Sequence, residues 1–434
     1  MNKKHNYTVN SRLFDDYLER MNFLNEISII YPNAISFGSG RPDQDFFHVK
    51  DVLSHFHSYL ELSKPANMEL DAFYDYIGQY NKTKGIINEA IAKLIANDEN
   101  IIADPEDIMM TDGAQEGMAI VINSLFESPD DVLLVSDPSY IGFVGYAKIC
   151  GITMCAINRD EDSINFDHLE ATIERLKKEG KTPKVLYEVP DFHNPSTAYM
   201  PLEKRKKLIE LAEKHNFYIV EDNPYGYFVY ETEKIPTLKA LDRYRRVIYL
   251  GSFSKTIFPS IRLGYLVVDQ VVDHKGKEIR LIEEFKKTKS FITVNTSTLL
   301  QAMAAGLIHQ EGYSLYKSCN ERVGAYKKKR DAMIEALERH FPASESWTKG
   351  ISWKKPLGGF FLVIDIPFQM TDKLLGECVK EYNVIFCPMS YFCLNEEVGA
   401  RQIRLAFSNL SPKTIDEGIS RLASFIKKCV IASC

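Results

Sequence analysis

The chain has 434 residues, which is more than one ordinary hydrophobic core organises, so we expect two domains of unequal size. Its 53 basic and 59 acidic residues give a net charge of −6 at pH 7, which excludes a nucleic-acid-binding surface built on bulk positive charge. No apolar run approaches the roughly 18 residues that a membrane-spanning helix needs, and residues 1–10 lack the apolar segment of a signal peptide. We therefore expect a cytoplasmic protein.

Residues 12–30 have the apolar spacing of a helix that ends before Pro32. From residue 87 onward, short apolar segments typical of buried strands alternate with amphipathic segments typical of helices. The predicted strands are 108–111, 132–135, 153–157, 185–189, 217–220 and 247–250, and the predicted helices are 87–96, 114–126, 142–149, 169–178 and 201–215. This alternation predicts an α/β fold whose central sheet is mainly parallel and covered by helices on both faces.

After about residue 310 the pattern changes to a long charged helix over 311–340 and shorter strands near 359–366 and 403–407. This change predicts a smaller α+β domain, which the N-terminal helix joins because it precedes the alternation. We expect an N-terminal arm and part of the small domain in 1–49, a large domain in 50–310, and the small domain in 311–434.

The cysteines lie far apart and form no C-x-x-C pair, although zinc ribbons and redox motifs need close pairs. We therefore expect most of them to be small buried side chains in a reducing compartment, without a metal site. The cysteines are Cys150, Cys155, Cys319, Cys378, Cys387, Cys393, Cys429 and Cys434.

The strand 247–250 leads into two hydroxyls and a lysine, Ser252, Ser254 and Lys255, and Arg262 follows a short turn later. Hydroxyl donors and a guanidinium together suit a phosphate. Lys255 is then either a counter-charge or a nucleophilic amine that forms a Schiff base with an aldehyde. The alternative is a basic surface loop after a strand.

The strand 108–111 turns through Gly113 into a helix whose first free N–H groups belong to Ala114 and Gln115. A helix N-terminus attracts anions, so a second phosphate contact is one interpretation. Taken alone this signal is weak, because many strand–glycine–helix turns bind nothing.

Asn194, Asp222 and Tyr225 follow two further apolar strands, so we expect all three at the carboxyl edge of the sheet, where ligands bind. An aspartate that ends a buried strand is unfavourable unless it meets a cation or a donor. The alternative is that these residues form turns and helix caps.

Together these segments resemble the fold-type I pyridoxal 5′-phosphate (PLP) enzymes of the class I/II aminotransferase family. The similarity is strongest to the subgroup of kynurenine/2-aminoadipate aminotransferases and the effector domains of MocR-type regulators. It runs over essentially the whole chain, from the segment 37–42 to the segment 403–408. The resemblance implies a large domain with a mainly parallel sheet, a smaller α+β domain, and bound PLP.

The resemblance also implies roles for individual residues. Lys255 would hold PLP as an internal aldimine and move the proton between Cα of the substrate and C4′ of the cofactor. Asp222 would pair with the pyridine nitrogen, because a carboxylate keeps the ring protonated as an electron sink. Asn194 and Tyr225 would bond the phenolic oxygen of the ring, and Tyr140 would stack on its face.

The remaining implied contacts concern the phosphate, the substrate and the second subunit. Tyr80 would reach the phosphate of a neighbouring subunit, which implies a homodimer. Arg404 would clamp the substrate α-carboxylate. The phosphate would be held by Gly113, Ala114, Gln115, Ser252, Ser254 and Arg262, and the substrate would contact Arg404, Asn194 and Gly40.

The chain departs from the family pattern in three places. The glycine of Asn-Pro-Thr-Gly is replaced by Thr197, the segment after Gly85 lacks the usual Leu-Arg, and Met389 follows Pro388 where the family has glycine. None of these changes falls on Lys255, and we interpret them as marks of a divergent substrate.

The resemblance predicts an aminotransferase that moves an amino group from an L-amino acid, which is aromatic, 2-aminoadipate-like or specialised, to a 2-oxo acid. The alternative is another PLP-dependent reaction on an amino acid by a cyclase, an oxidase or a lyase. A more remote alternative is a ligand-sensing regulatory domain, but the chain begins too close to its first helix for a DNA-binding domain of about 60–70 residues. Arg41 is either a contact for a substrate side chain or part of an ion pair, and His193 is either a donor behind the site or a structural loop residue.

Overall fold

The computed structural model of the protein describes residues 8–47 and 49–433, so the prediction for Cys434 lies outside the described residues. The strands of these residues are β1 (Ile35–Ser36), β2 (Ile108–Thr111), β3 (Asp131–Asp137), β4 (Thr153–Asn158), β5 (Thr182–Glu188), β6 (Tyr218–Asp222), β7 (Val247–Ser252), β8 (Gly264–Val267), β9 (Val271–His274), β10 (Lys277–Arg280), β11 (Ser352–Trp353), β12 (Phe361–Asp365), β13 (Val384–Ile385), β14 (Cys387–Pro388) and β15 (Gln402–Ala406).

The α-helices of the described residues are α1 (Asp16–Ile30), α2 (Val52–Ser63), α3 (Leu70–Gly78), α4 (Asn88–Glu99), α5 (Ala114–Leu125), α6 (Ile141–Cys150), α7 (Phe166–Lys178), α8 (Leu202–His215), α9 (Leu238–Leu241), α10 (Leu281–Ile292), α11 (Thr298–Gln310), α12 (Tyr316–His340), α13 (Asp372–Glu377), α14 (Glu396–Gly399) and α15 (Pro412–Ser433). None of them is long and apolar enough to cross a membrane.

The central sheet has the strand order β2-β8-β7-β6-β5-β3-β4. Its neighbours from β7 through β6, β5 and β3 to β4 are parallel, whereas β8 runs antiparallel to both β7 and β2. Most residues of these strands are buried because helices cover both faces. The predicted α/β fold of type I, with a mainly parallel central sheet, is confirmed.

A second sheet, in the order β11-β12-β15-β14, is antiparallel and forms from the C-terminal part of the chain. The N-terminal strand β1 pairs in parallel with β13, so the segment before the alternation lies against the C-terminal part. The predicted division at residues 49 and 310 stays a prediction.

The helix α1 connects the two parts of the molecule. Its N-cap Asp15 accepts a hydrogen bond from Lys148 of α6 at 2.6 Å. On the other side, Arg20 donates to the backbone oxygen of Ser390 at 3.2 Å and pairs with Glu396 of α14. Met21 of the same helix lines a cavity at the carboxyl edge of the central sheet.

The long charged helix begins at Tyr316, five residues later than the predicted start at 311. Gly312 and Tyr313 both adopt positive φ angles, of 65° and 61°, which a right-handed helix excludes. The preceding residues up to Gln310 form α11, which the apolar spacing had left unassigned.

Candidate active site

A cavity of about 310 Å³ opens at the carboxyl edge of the central sheet, where the sequence predicts a ligand site. The ends of β5, β6 and β7 and the N-terminus of α5 meet there. The cavity is lined by Met21, Gly38, Ser39, Gly40, Arg41, Ala114, Gln115, Met118, Tyr140, Ile141, Tyr187, Val189, Asn194, Asp222, Pro224, Tyr225, Ser252, Ser254, Lys255, Pro259, Arg262, Phe361, Phe392 and Arg404.

Lys255 lies in the turn after β7 and extends its amine into this cavity. Its Nζ donates a hydrogen bond to the backbone oxygen of Gly40 at 3.0 Å. Burial, together with the neighbouring cations Arg404, Arg262 and Arg41, lowers the pKa of Lys255 to about 8, although Asp222 acts in the opposite direction. A substantial fraction of this amine is therefore neutral, and nucleophilic, near pH 8.

Asp222 is the last residue of β6 and is fully buried. Its Oδ2 accepts a hydrogen bond from the Tyr187 hydroxyl at 2.7 Å, whereas its Oδ1 is buried and has no hydrogen-bond partner among the described residues. Burial raises the pKa of Asp222 to about 7, although Tyr187 and Lys255 counteract that effect. A buried carboxylate oxygen without a donor is unfavourable, so Asp222 is prepared for an N–H group or a cation from a ligand.

Arg404 of β15 is buried and held in place on several sides. It donates to Asn194 Oδ1 at 2.5 Å and to the Gly38 oxygen at 2.6 Å. The guanidinium carbon lies 4.2 Å from the ring centre of Phe361 and 4.6 Å from that of Phe392. This cage fixes a planar cation that suits a carboxylate.

A cluster of donors lies where α5 begins. Gly113 has a φ of +73°, and a Cβ atom there would lie 2.3 Å from Nη2 of Arg262, so only glycine lets the arginine approach the turn this closely. Arg262 also donates to Ser254 Oγ at 3.4 Å, and Ser252 Oγ accepts from the Ser254 N–H at 3.2 Å. Hydroxyls, a guanidinium and a helix N-terminus together form a suitable site for a phosphate.

The comparisons with known proteins agree with this geometry. The family model described as aminotransferase class I and II matches residues 74–422. The chain belongs to the class I and II aminotransferases. The chain is 35% identical over 420 residues to (S)-3,5-dihydroxyphenylglycine transaminase of Amycolatopsis orientalis, covering 96% of this chain and 94% of that protein.

Two further similarities support the same assignment. Aromatic-amino-acid aminotransferase 1 of Thermococcus litoralis is 34% identical, over 81% of this chain and 80% of its own length. The solved structure of a kynurenine aminotransferase from Pyrococcus horikoshii, in complex with PMP, superposes with a TM-score of 0.81 at 30% identity and covers 96% of this chain and 98% of that one. The predicted family and enzyme class are confirmed.

Most site residues predicted from the sequence of this aminotransferase line the cavity. Gly113 lies just behind the lining, against Arg262. Tyr80 does not reach the cavity of its own chain, and its side chain is 79% exposed. Gly40 contributes mainly through its backbone, since its oxygen accepts from Lys255 and a Cβ there would lie 2.2 Å from the Phe361 ring.

Several residues of the aminotransferase site were missed at the sequence level. Tyr187 is the sixth residue of an apolar strand, and only the pairing of β5 with β6 brings its hydroxyl to Asp222. Phe361 and Phe392 belong to different elements of the C-terminal part, and nothing in their local sequence marks them as walls of a cavity. The available sequence signal for Phe361 is the pair Gly358 and Gly359, which indicates a turn before the strand β12.

The loop after β5 shows how this aminotransferase accommodates its departure from the family pattern. Thr197 adopts a φ of +65°, a left-handed conformation that suits the glycine it replaces. His193 is fully buried beside it, where Nδ1 lies 2.8 Å from Ser196 Oγ and Nε2 lies 3.3 Å from Ser136 Oγ. Burial holds the pKa of His193 well below its usual value, so His193 is a neutral residue of the loop.

The sequence left two roles open for Arg41 and predicted cysteines without a metal site. Arg41 lines the cavity mouth, and its side chain forms no ion pair within 8–47 and 49–433. The ion pair considered for it at the sequence level is therefore not found there. The described cysteines are free thiols, and Cys387 donates to the Gly38 oxygen at 3.1 Å beneath Arg404.

Proposed function

We propose that this aminotransferase uses PLP to transfer the amino group of an L-amino acid with an aromatic side chain to a 2-oxo acid. The observation that carries the proposal is the convergence of three groups on one cavity. These are the amine of Lys255 with its lowered pKa, the Asp222 oxygen that has no hydrogen-bond partner within 8–47 and 49–433, and the guanidinium of Arg404 between two aromatic rings.

The residues present fit PLP. Asp222 would face the pyridine nitrogen with its Oδ1, and Tyr140 would cover the ring. Asn194 and Tyr225 would bond the phenolic oxygen. The 5′-phosphate would be held by Gly113, Ala114, Gln115, Ser252, Ser254 and Arg262. When bound, PLP supplies an aldehyde for an amine and a protonated ring that accepts the electrons of a breaking Cα–H bond.

The chain's own residues would then divide the work. Arg404 holds the substrate α-carboxylate, and its contact with Asn194 fixes the guanidinium plane. Lys255 Nζ takes the proton from the substrate Cα, since its lowered pKa places the amine near the range in which a general base works well. Phe361 and Phe392 exclude water from the carboxylate contact, which strengthens it.

The apolar walls of the cavity support an aromatic donor. Met21, Ile141, Phe361 and Phe392 provide apolar or aromatic contact surface around the polar centre. Two relatives are named for arylglycine and aromatic amino acids, and one structural neighbour for kynurenine. A donor series with 2-oxoglutarate, comprising phenylglycines, phenylalanine, tyrosine and 2-aminoadipate, should give the highest kcat/KM for an aryl donor. A preference for 2-aminoadipate would contradict the aromatic assignment.

The assignment of Lys255 is tested by borohydride reduction of the protein supplied with PLP, followed by peptide mass mapping. We expect a single pyridoxyl adduct, on Lys255. The adduct and transamination should both be absent in Lys255→Ala and unchanged in Lys287→Ala, whose side chain is exposed. An adduct on another lysine, or donor turnover that consumes oxygen without a 2-oxo acid, contradicts the proposal.

We further propose a homodimer in which Tyr80 reaches the phosphate of the neighbouring subunit. The support is the exposure of this tyrosine together with the family membership. Sedimentation at micromolar concentration should give the mass of two chains. Location in the cytoplasm stays a prediction.

A further inference from the structure

A buried ion pair lies directly beneath the first turn of α5. Lys289, in the last turn of α10, is completely buried, and Glu116 is only 8% exposed. The lysine Nζ lies 2.9 Å from Oε1 and 2.8 Å from Oε2 of Glu116. Thr293 completes the cluster, because its hydroxyl accepts from Lys289 at 2.9 Å and donates to Glu116 at 2.5 Å.

Glu116 also holds the turn that precedes α5. Its Oε2 accepts the backbone N–H of Asp112 at 2.6 Å. Asp112 is followed immediately by Gly113, the residue that lies against Arg262. The ion pair is therefore connected through one backbone group to the donors assigned to the phosphate.

The negative charge of Glu116 would repel an anionic ligand at the start of α5, and Lys289 neutralises that charge. A carboxylate in the first turn of a helix occupies the region where an anionic ligand would bind, and the two negative charges repel. The pKa of Asp112 reflects these fields. Burial and then Glu116 raise it, whereas Lys289 and Arg262 lower it. Lys289 thus cancels a negative charge that would otherwise oppose a phosphate.

We propose that Glu116 and Lys289 are positioning residues that set the affinity of this aminotransferase for the 5′-phosphate of its cofactor. Glu116 fixes the turn through Asp112, and Lys289 neutralises Glu116. The inference rests on the proposed function, since it requires the phosphate to bind at this turn. Stability alone is a weak reason for such a pair, because well-packed apolar residues often replace buried ion pairs without loss.

The test measures dissociation constants of PLP and of pyridoxal, which lacks the phosphate, for the cofactor-free protein. The ratio of the pyridoxal dissociation constant to the PLP dissociation constant reports the phosphate contribution alone. In Lys289→Met the ratio should fall by roughly tenfold or more, because Glu116 is left uncompensated. In Glu116→Gln, whose amide oxygen still accepts from Asp112, the ratio should rise several-fold. The double variant E116Q/K289M should lie within about threefold of the wild type.

The matched control is Lys287→Met on the same helix, whose side chain is 69% exposed and pairs with Glu284. It should leave the ratio unchanged. If the Glu116–Lys289 pair serves only stability, each variant should change the dissociation constants of PLP and pyridoxal equally. Every ratio would then equal the wild-type ratio, and this result would overturn the inference. A ratio in Glu116→Gln that is equal to or lower than the wild-type ratio overturns the inference as well. If Lys289→Met does not fold, Glu116→Gln and the double variant still test the inference. A wild type that binds pyridoxal as tightly as PLP would instead remove the phosphate site of the proposed function.

Discussion

Asp222 is expected to destabilise the cofactor-free protein, so Asp222→Asn should stabilise it at high pH. Burial raises the pKa of this carboxyl from 3.8 to about 7 in the folded chain. The difference of about three units corresponds to about 4 kcal/mol, at 1.36 kcal/mol per unit. Asparagine keeps an oxygen that accepts from the Tyr187 hydroxyl but carries no charge to desolvate.

The direction of the pH effect follows from the raised pKa. Below pH 4 the carboxyl is protonated in both the folded and the unfolded chain. Between pH 4 and about 7 the unfolded chain releases this proton while the folded chain retains it, so the free energy of unfolding falls as the pH rises. From pH 5 to pH 8 the wild type should therefore lose about 3 kcal/mol relative to Asp222→Asn.

Thermal unfolding of the two cofactor-free proteins at pH 5 and pH 8 measures this difference. A chain of 434 residues has an unfolding entropy of about 0.9 kcal/mol/K, so the Tm advantage of the variant should grow by about 3 °C over this range. Asp75→Asn, at an exposed position of α3, serves as the control and should show no such growth. An advantage that is independent of pH, or a variant that loses stability at pH 8, would refute the reasoning. With PLP added, transamination by Asp222→Asn should be slower by orders of magnitude.

Three further results are expected. Arg404→Met should raise KM for both substrates by about 100-fold, because the proposed contact with the substrate carboxylate is lost. The same variant should raise the pH midpoint at which Lys255 binds PLP above about 8, as measured by absorbance, because the Arg404 cation helps to lower the pKa of Lys255. Thr197→Gly should stabilise the protein by about 1 kcal/mol in thermal unfolding, since glycine adopts the φ of +65° without strain. Tyr80→Phe should weaken PLP binding by about tenfold and leave pyridoxal binding unchanged; equal loss for both ligands would argue against a phosphate contact.

The sequence was sufficient for the parallel part of the central sheet. Its strands are short and apolar because both faces are buried. The polar residues that follow these strands can therefore be recognised as residues at the carboxyl edge of the sheet, where ligands bind. Asp222 and Lys255 were predicted on this basis, and both line the cavity. The antiparallel strand β8 was not predicted, because an apolar segment of four residues carries no information about its direction.

Long-range side-chain contacts were out of reach for a different reason. Glu116 and Lys289 are 173 residues apart, and each lies on a helix whose local pattern is unremarkable. Tyr187 reads as one more apolar position in a strand. Contacts of this kind depend on how helices and strands pack in three dimensions, so they follow from the fold rather than from local periodicity.

The helix α1 gives the cavity a wall that belongs neither to the central sheet nor to the C-terminal sheet. It is tied to α6 through Asp15 and to the segment around Ser390 through Arg20, while Met21 borders the cavity. A chain shortened to begin after α1 would keep Lys255, Asp222 and Arg404 but would open this cavity on the side of Met21. Such a truncation should reduce the selectivity among amino acid substrates more than it reduces the turnover of the smallest amino acids.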